Sequence, residues 1–267
     1  MTTRTASAPF LITKEYRRFA EFCDACRRHQ YIGLCHGSPG VGKTLSATHY
    51  ARWDLVDGIQ PWERKAQLPQ ELMDCRTVLY TPPVVNSPSR IGMELTHLRG
   101  FLSHIVNEVR KRADPVHDHS DDDFTELIIV DEADRLKLAA LEQLRDIYDR
   151  GNIGLILVGM PGIEKRLSRY AQFYSRVGFV HHYRALNGKE LTFLLEQKWQ
   201  ELGLTADQAD FTDAEAMAAV IRITGGNFRL LQRLFTQISR ILEINQVKLV
   251  TQEVVEAARE SLVIGIA

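Results

Sequence analysis

The feature that most restricts how this chain can fold is GSPGVGKT, residues 37–44, set between YIGLCHG (31–37), an apolar run of strand character, and KTLSATHYARWD (43–54), a helical stretch. It fits G-x-x-x-x-G-K-[ST] at every position. A glycine turn between a strand and a helix lets successive backbone N–H groups point inward, and the helix that follows presents its positive end to the same point. Gly40 and Gly42 permit the curl, Lys43 places a cation at the outer phosphates of a nucleotide, and Thr44 offers a hydroxyl to Mg2+. Ser38, Pro39, Val41 and Leu45 complete the stretch expected to line the phosphates, with ATP and Mg2+ as the ligands. A glycine turn with no ligand leaves the Lys-Thr ending unexplained.

A second run, LIIVDEADR (127–135), raises the complementary question of why a buried strand should finish in two adjacent carboxylates. Burying an unpaired charge costs far more than a strand end recovers, so Asp131 and Glu132 must face something cationic or polar. The glycine loop supplies it. Asp131, at the carboxyl end of a strand in the same sheet, is expected to hold the magnesium shell together with Thr44, and Glu132 to polarise the water that attacks the terminal phosphate. An acid pair of this kind favours hydrolysis over transfer to a small acceptor, for which no second motif speaks.

The pattern around these motifs sets the architecture. Residues 14–30 read as an amphipathic helix, and TVLYTPP restarts a strand that the prolines stop. From Ser89 to Arg112, the residues Ile91, Leu95, Leu98, Leu102, Ile105 and Val109 recur three and four apart, one continuous helical stripe. A helix near 138–150, a strand IGLILVG (153–159), short arginine-rich helices and a last strand VGFVHHY follow. Strands alternating with helices imply a parallel sheet covered on both faces. Beyond Asn187 only helices are expected, near 188–203, 212–224, 227–245 and 251–262. The expected division is an α/β nucleotide-binding domain over 1–186 and a small all-helical domain over 187–267.

Composition excludes several classes. Apolar residues make up 45% and charged residues 25% of 267, ordinary for a soluble globular chain, and no apolar run approaches the roughly 20 residues that span a bilayer. MTTRTASAPF lacks the apolar centre of a signal peptide, so a cytoplasmic location is expected. A net charge of -1 gives no global positive field, so any nucleic-acid contact has to be local or arise when copies align their basic faces. Cys23 and Cys26, with His29 nearby, invite a metal reading, yet Phe19, Phe22, Cys23 and Cys26 share one helical face and no second pair follows. Small buried residues are the expected role. The acidic stretch ADPVHDHSDDDF reads as a solvated connection.

Hydrolysis of an outer phosphate spreads negative charge over its oxygens, and an arginine from a neighbouring subunit or from the helical domain commonly neutralises it. Arg166, Arg169 and Arg176 follow the later strands and Arg229 opens a helix of the second domain; Arg176 and Arg229 are the expected catalytic arginines, beside Lys43 and Glu132.

With these residues in view the chain resembles an AAA+ ATPase: GSPGVGKT matches Walker A, LIIVDE matches Walker B with its glutamate, and GGNFR resembles the second sensor motif. The resemblance covers about residues 10–265. It implies a central sheet in the order 5-1-4-3-2, a helical lid, nucleotide at subunit interfaces, and homo-oligomers in the form of rings or helical filaments. More narrowly, IIVDEADRLK, LILVGMPG and YSRVGF are similar to transposition regulators of the TniB, TnsC and Mu B type. That likeness implies an ATP-dependent protein that polymerises on duplex DNA, marks a target and recruits or activates a transposase, with a targeting protein as a further partner and no membrane. It also implies Arg176 as the finger acting on the next subunit and Arg229 as the second sensor. A secretion-type motor and a helicase loader share the same nucleotide motifs and stand as the alternatives.

One departure concerns the strand LILVGMP, which in such proteins ends near a polar first-sensor residue; here Gly159 and Met160 stand in that place, and slow hydrolysis is expected, with ATP serving mainly in assembly. For DNA, the segment after the second strand offers Arg90, Arg99, Arg110, Lys111 and Arg112 for phosphate contacts that read no sequence, although Arg90 and Glu94 stand four apart as a surface pair would. The helix carrying Arg229, Arg233 and Arg240 is a second basic candidate.

Overall fold

The structure is a computed structural model that describes residues 10–57, 59, 68–113, 122–202, 204 and 210–262. The surface excursion around Trp62 and most of the acidic stretch 113–124 lie outside the described residues.

In chain order come α1 (Lys14–His29), β1 (Ile32–His36), α2 (Lys43–Ala51), α3 (Trp53–Val56), β2 (Thr77–Tyr80), α4 (Pro88–Ala113), β3 (Leu127–Val130), α5 (Leu138–Arg150), β4 (Gly154–Gly159), α6 (Ile163–Leu167), α7 (Ala171–Tyr174), β5 (Val177–His182), α8 (Gly188–Glu201), α9 (Phe211–Thr224), α10 (Phe228–Asn245) and α11 (Gln252–Glu260). The five strands form one parallel sheet in the order β2-β3-β4-β1-β5, the expected 5-1-4-3-2 read from the other edge. The helical stretch predicted over 43–54 breaks in two because Arg52 adopts the left-handed conformation, φ 50°.

Strands β1 to β4 are apolar on both faces because both faces are covered. Ile32, Leu34, Ile128, Val130, Leu155 and Leu157 share one core with Ile91, Leu95, Leu102, Ile105 and Val109 of α4 and Leu141 and Leu144 of α5. Each such side chain contributes about 1.5–3 kcal/mol when fully removed from water. Across the sheet lies α1, where Phe19, Cys23 and Cys26 are fully buried and the Cys26 Sγ and Phe22 ring sit where a side chain on Gly33 would have to go. The four cysteines are buried, and among the described residues none is in a disulfide. Burial pushes the Cys26 thiol up to about 12 and the Cys23 thiol well above its ordinary range, as inert core residues behave.

The chain separates into two compact units. One is built on Tyr16–Gly37 and Lys43–Tyr183 and holds the sheet; the other comprises Thr13–Glu15, Ser38–Gly42 and Arg184–Ala267. In the second, Leu231, Leu234, Ile238, Val250 and Val255 are buried together with Trp199, which meets the Phe235 ring edge-on at 5.4 Å between centroids. Its helices begin at side-chain caps that the sequence supplies: Asn187 with a reciprocal Glu190 for α8, Asp210 for α9, Asn227 for α10 and Thr251 for α11.

Candidate nucleotide site

Parallel order places the carboxyl ends of all five strands on one edge of the sheet, so Gly37 after β1 and the carboxylates after β3 share that edge. The first turn of α2 carries no acid, which leaves the positive end of that helix free for an anion. Lys43 opens α2 with a buried side chain, and its Nζ donates to the Gly37 carbonyl at 2.5 Å, so the ammonium folds back over the loop that precedes it. Thr44 Oγ1 donates to Asp131 Oδ2 at 2.6 Å. The other Asp131 oxygen, Oδ1, accepts from the Glu132 N–H at 2.8 Å. Asp131 is only 4% exposed and both its oxygens are engaged, which answers why a buried strand tolerates a carboxylate at its tip.

A hydroxyl and a carboxylate held this close form a hard oxygen pair of the kind Mg2+ accepts, with phosphate and water oxygens completing six ligands. Among the described residues no group of three His, Cys, Asp or Glu side chains converges as a metal cage of its own. The donors present therefore fit a magnesium ion that arrives with a nucleotide.

Glu132 is a non-glycine residue in the left-handed region, φ 50° and ψ 40°. That conformation costs about 1–2 kcal/mol and turns the side chain sharply out of the strand direction. Its carboxylate is exposed and ion-paired with Arg135, whose Nη1 donates to the Pro82 carbonyl at 3.0 Å.

In the other unit, Gly40 and Gly42 have φ of 80° and 110°, where side chains are strained. Gly40 is also closely approached: a Cβ there would stand 2.5 Å from Asn227 Oδ1 and 2.9 Å from Arg229 Cβ. Asn227 Nδ2 donates to the Pro39 carbonyl at 2.8 Å and the Arg229 N–H to the Gly40 carbonyl at 3.0 Å. The start of α10 thus holds the glycine loop, and Arg229, exposed and free of any side-chain hydrogen bond or ion pair among the described residues, lies beside it.

The remaining candidates are placed differently. Arg176 Nε donates to Asp149 Oδ1 at 2.6 Å, and Arg176 also donates to the Gln172 carbonyl, so its guanidinium is held within its own chain. Arg166 donates to three carbonyls, those of Ala133, Asp134 and Leu136, and serves the turn after β3. Arg90 pairs with Glu94 at 2.7 Å, as the four-residue spacing suggested, and Arg99 pairs with Asp123. Arg110 stacks over the Phe124 ring at 4.7 Å and Arg112 donates to the Leu68 carbonyl at 3.3 Å. Lys111 is likewise engaged. Arg233 and Arg240 project from the exposed side of α10.

Sequence reasoning passed over Asn227, although it lies within GGNFR, and over Asp134, whose Oδ2 accepts the Met160 N–H at 2.7 Å. The only signal for Asn227 was its type and place: an asparagine just before a helix is a capping residue by default.

Known proteins resemble this chain in sequence and in fold. A family model described as an AAA domain matches residues 26–167. A potential ATP-binding protein of Staphylococcus aureus is 47% identical over 276 residues, covering 98% of this chain and 99% of that protein. The Mu-like prophage FluMu DNA transposition protein B of Haemophilus influenzae is 34% identical over 234 residues, covering 85% of this chain and 71% of that protein. Among solved structures, the Thermotoga maritima RuvB Holliday junction branch migration motor superposes with a TM-score of 0.59 at 18% identity, over 95% of this chain and 70% of that one. The Aeropyrum pernix ORC1 protein in complex with DNA gives 0.60 at 17%, over 94% and 66%. From the matched domain, the two sequence relatives and the sheet order together, this chain belongs to the AAA domain family, within the AAA+ class of P-loop ATPases.

Proposed function

We propose that the protein is an ATP-dependent DNA-binding factor that assembles on duplex DNA and selects targets for, or recruits and activates, a transposase. The observation that carries this reading is the 34% identity to a DNA transposition protein B over 85% of the chain. Solved structures of similar fold, at 17–18% identity, include a Holliday junction branch migration motor and an ORC1 protein in complex with DNA. No helix among the described residues is long and apolar enough to cross a membrane.

In this proposal the N–H groups of Ser38–Thr44 and the N-terminus of α2 cradle the phosphates, with Val41 and Leu45 beside them, and Lys43 leaves the Gly37 carbonyl for the outer phosphates. Thr44 and Asp131 would hold the magnesium ion, which would supply charge neutralisation when bound. Glu132 accepts a proton from the attacking water as the water oxygen bonds to the γ-phosphorus and the bond to the β–γ bridging oxygen breaks, giving ADP and phosphate. For Glu132 to act as base it must exchange its pairing with Arg135 for the water. Arg229 faces the outer phosphate from the chain's own helical lid, here 187–267. Arg176 leaves Asp149 to reach the nucleotide of a neighbouring copy, so the finger forms only in the ring or filament.

DNA contact follows the same logic. Arg90 and Arg99 are paired within the chain, so phosphate must displace Glu94 and Asp123 before either contributes, with Lys111 as the third contact on α4. The test is electron microscopy and sedimentation with a non-hydrolysable ATP analogue and duplex DNA of arbitrary sequence in the cytoplasmic salt range. Ordered assemblies requiring both ligands support the reading, and particles indifferent to DNA defeat it.

A further inference from the structure

We propose that Asp134 is a positioning residue for hydrolysis, supplying at the tip of β4 the polar group that the strand itself lacks. This inference rests on the proposed hydrolysis of ATP at this site.

The sheet order puts β4 between the strand that leads into the glycine loop and the strand that ends in Asp131 and Glu132. Register fixes the relation: Val130 pairs with Leu157 and His36 with Gly159. The tip of β4 therefore lies at the middle of the catalytic edge, beside Gly37 on one side and Asp131 and Glu132 on the other. Neither residue at that tip has a side chain that orients water, since Gly159 has none and the Met160 thioether is at best a weak acceptor.

The Asp134 carboxylate occupies that tip instead. Its Oδ2 accepts the Met160 N–H at 2.7 Å, and a Cβ on Gly159 would stand 2.7 Å from the same oxygen. Glycine at 159 is thus what admits the carboxylate, and any side chain there would expel it. The turn that carries Asp134 is held by Arg166 through the carbonyls of Ala133, Asp134 and Leu136, at 3.2, 2.8 and 3.0 Å. A group that fixes a reactant needs such rigid backing. With Oδ2 committed to the backbone, Oδ1 makes no hydrogen bond among the described residues and stays available as an acceptor. In the reaction, Oδ1 accepts a hydrogen bond from the attacking water without taking its proton, which goes to Glu132.

Three variants test this, with steady-state hydrolysis of Mg-ATP, binding of its non-hydrolysable β,γ-imido analogue and thermal unfolding as readouts. Asp134→Asn retains an oxygen for the Met160 N–H but turns the second atom from acceptor into donor. We expect kcat to fall about tenfold to a hundredfold, the range that misoriented reactants commonly lose, with analogue affinity and melting temperature unchanged. Asp134→Ala should lose as much, and Asp134→Ala combined with Met160→Asn should regain a large part, because the polar group is restored on the strand. Parental kcat in Asp134→Asn, or a double variant no faster than Asp134→Ala, overturns the proposal and leaves Asp134 as a turn residue. Should the parental protein bind the analogue yet hydrolyse nothing, or Glu132→Gln hydrolyse normally, the underlying hydrolytic reading fails instead.

Discussion

Thr44 Oγ1 and Asp131 Oδ2 are joined by a 2.6 Å hydrogen bond across 87 positions of sequence. The bond links the first turn of α2 to the tip of β3 and closes the edge of the sheet where the start of α2 meets the acids. A hydroxyl that donates to this carboxylate can turn its lone pairs to a cation, so on the proposed reading the same two groups would hold Mg2+ when the nucleotide binds. Thr44→Ala should weaken Mg-ATP binding about tenfold, the size of one hydrogen bond to a charged group. Affinity for ATP in EDTA should stay nearly constant. Calorimetric titration in the two buffers separates these outcomes.

Lys43→Ala removes the cation that folds onto Gly37 and should abolish ATP binding together with ATP-dependent assembly on DNA. Sedimentation with ATP and duplex DNA checks it; assemblies of parental size in this variant would break the link between nucleotide and assembly.

Glu132→Gln keeps the shape of the side chain and loses its basicity. The variant should bind ATP at parental affinity, hydrolyse it at least a hundredfold more slowly, since general-base catalysis contributes about 10²–10⁴-fold, and hold its DNA-bound assemblies longer. Single-turnover hydrolysis and dissociation after dilution are the measurements.

Asn227 has two tasks, capping α10 through Oδ1 on the Leu230 N–H and holding the Pro39 carbonyl through Nδ2. Asn227→Ala should cost about 1 kcal/mol of stability as a lost helix cap and also weaken ATP binding. Asn227→Asp retains the cap acceptor but not the donor, and should recover the melting temperature without recovering ATP affinity.

Cys26 and Cys23 should resist alkylation by iodoacetamide at neutral pH until the protein is unfolded. Burial raises the Cys26 thiol from 9.0 to about 12, so its neutral form is favoured in the fold. The stabilising contribution is complete below pH 9 and is lost as pH climbs from 9 towards 12, because the unfolded chain ionises first. Thiol labelling followed by mass spectrometry, and denaturant midpoints across that range, test the two statements.

Much of the fold was legible because its elements announce themselves locally. The continuous apolar runs of β1 to β4 and the stripe from Ile91 to Val109 each lie within one element, and the observed boundaries fall within a few residues of the expected ones. Lys43, Thr44, Asp131 and Glu132 could be named for the same reason: their chemistry follows from a short contiguous spacing. What only the tertiary structure decided is pairing over distance. The sequence showed Arg176 as an arginine after a strand, but not that Asp149 holds it. It showed Arg99 in a basic helix, but not that Asp123 neutralises it. It showed Gly159 and Met160 at a strand tip without a polar side chain, but not that Asp134 reaches that tip from the neighbouring strand's turn. Such contacts depend on which strand lies beside which and in what register. Those are properties of the assembled sheet, and no single segment carries them.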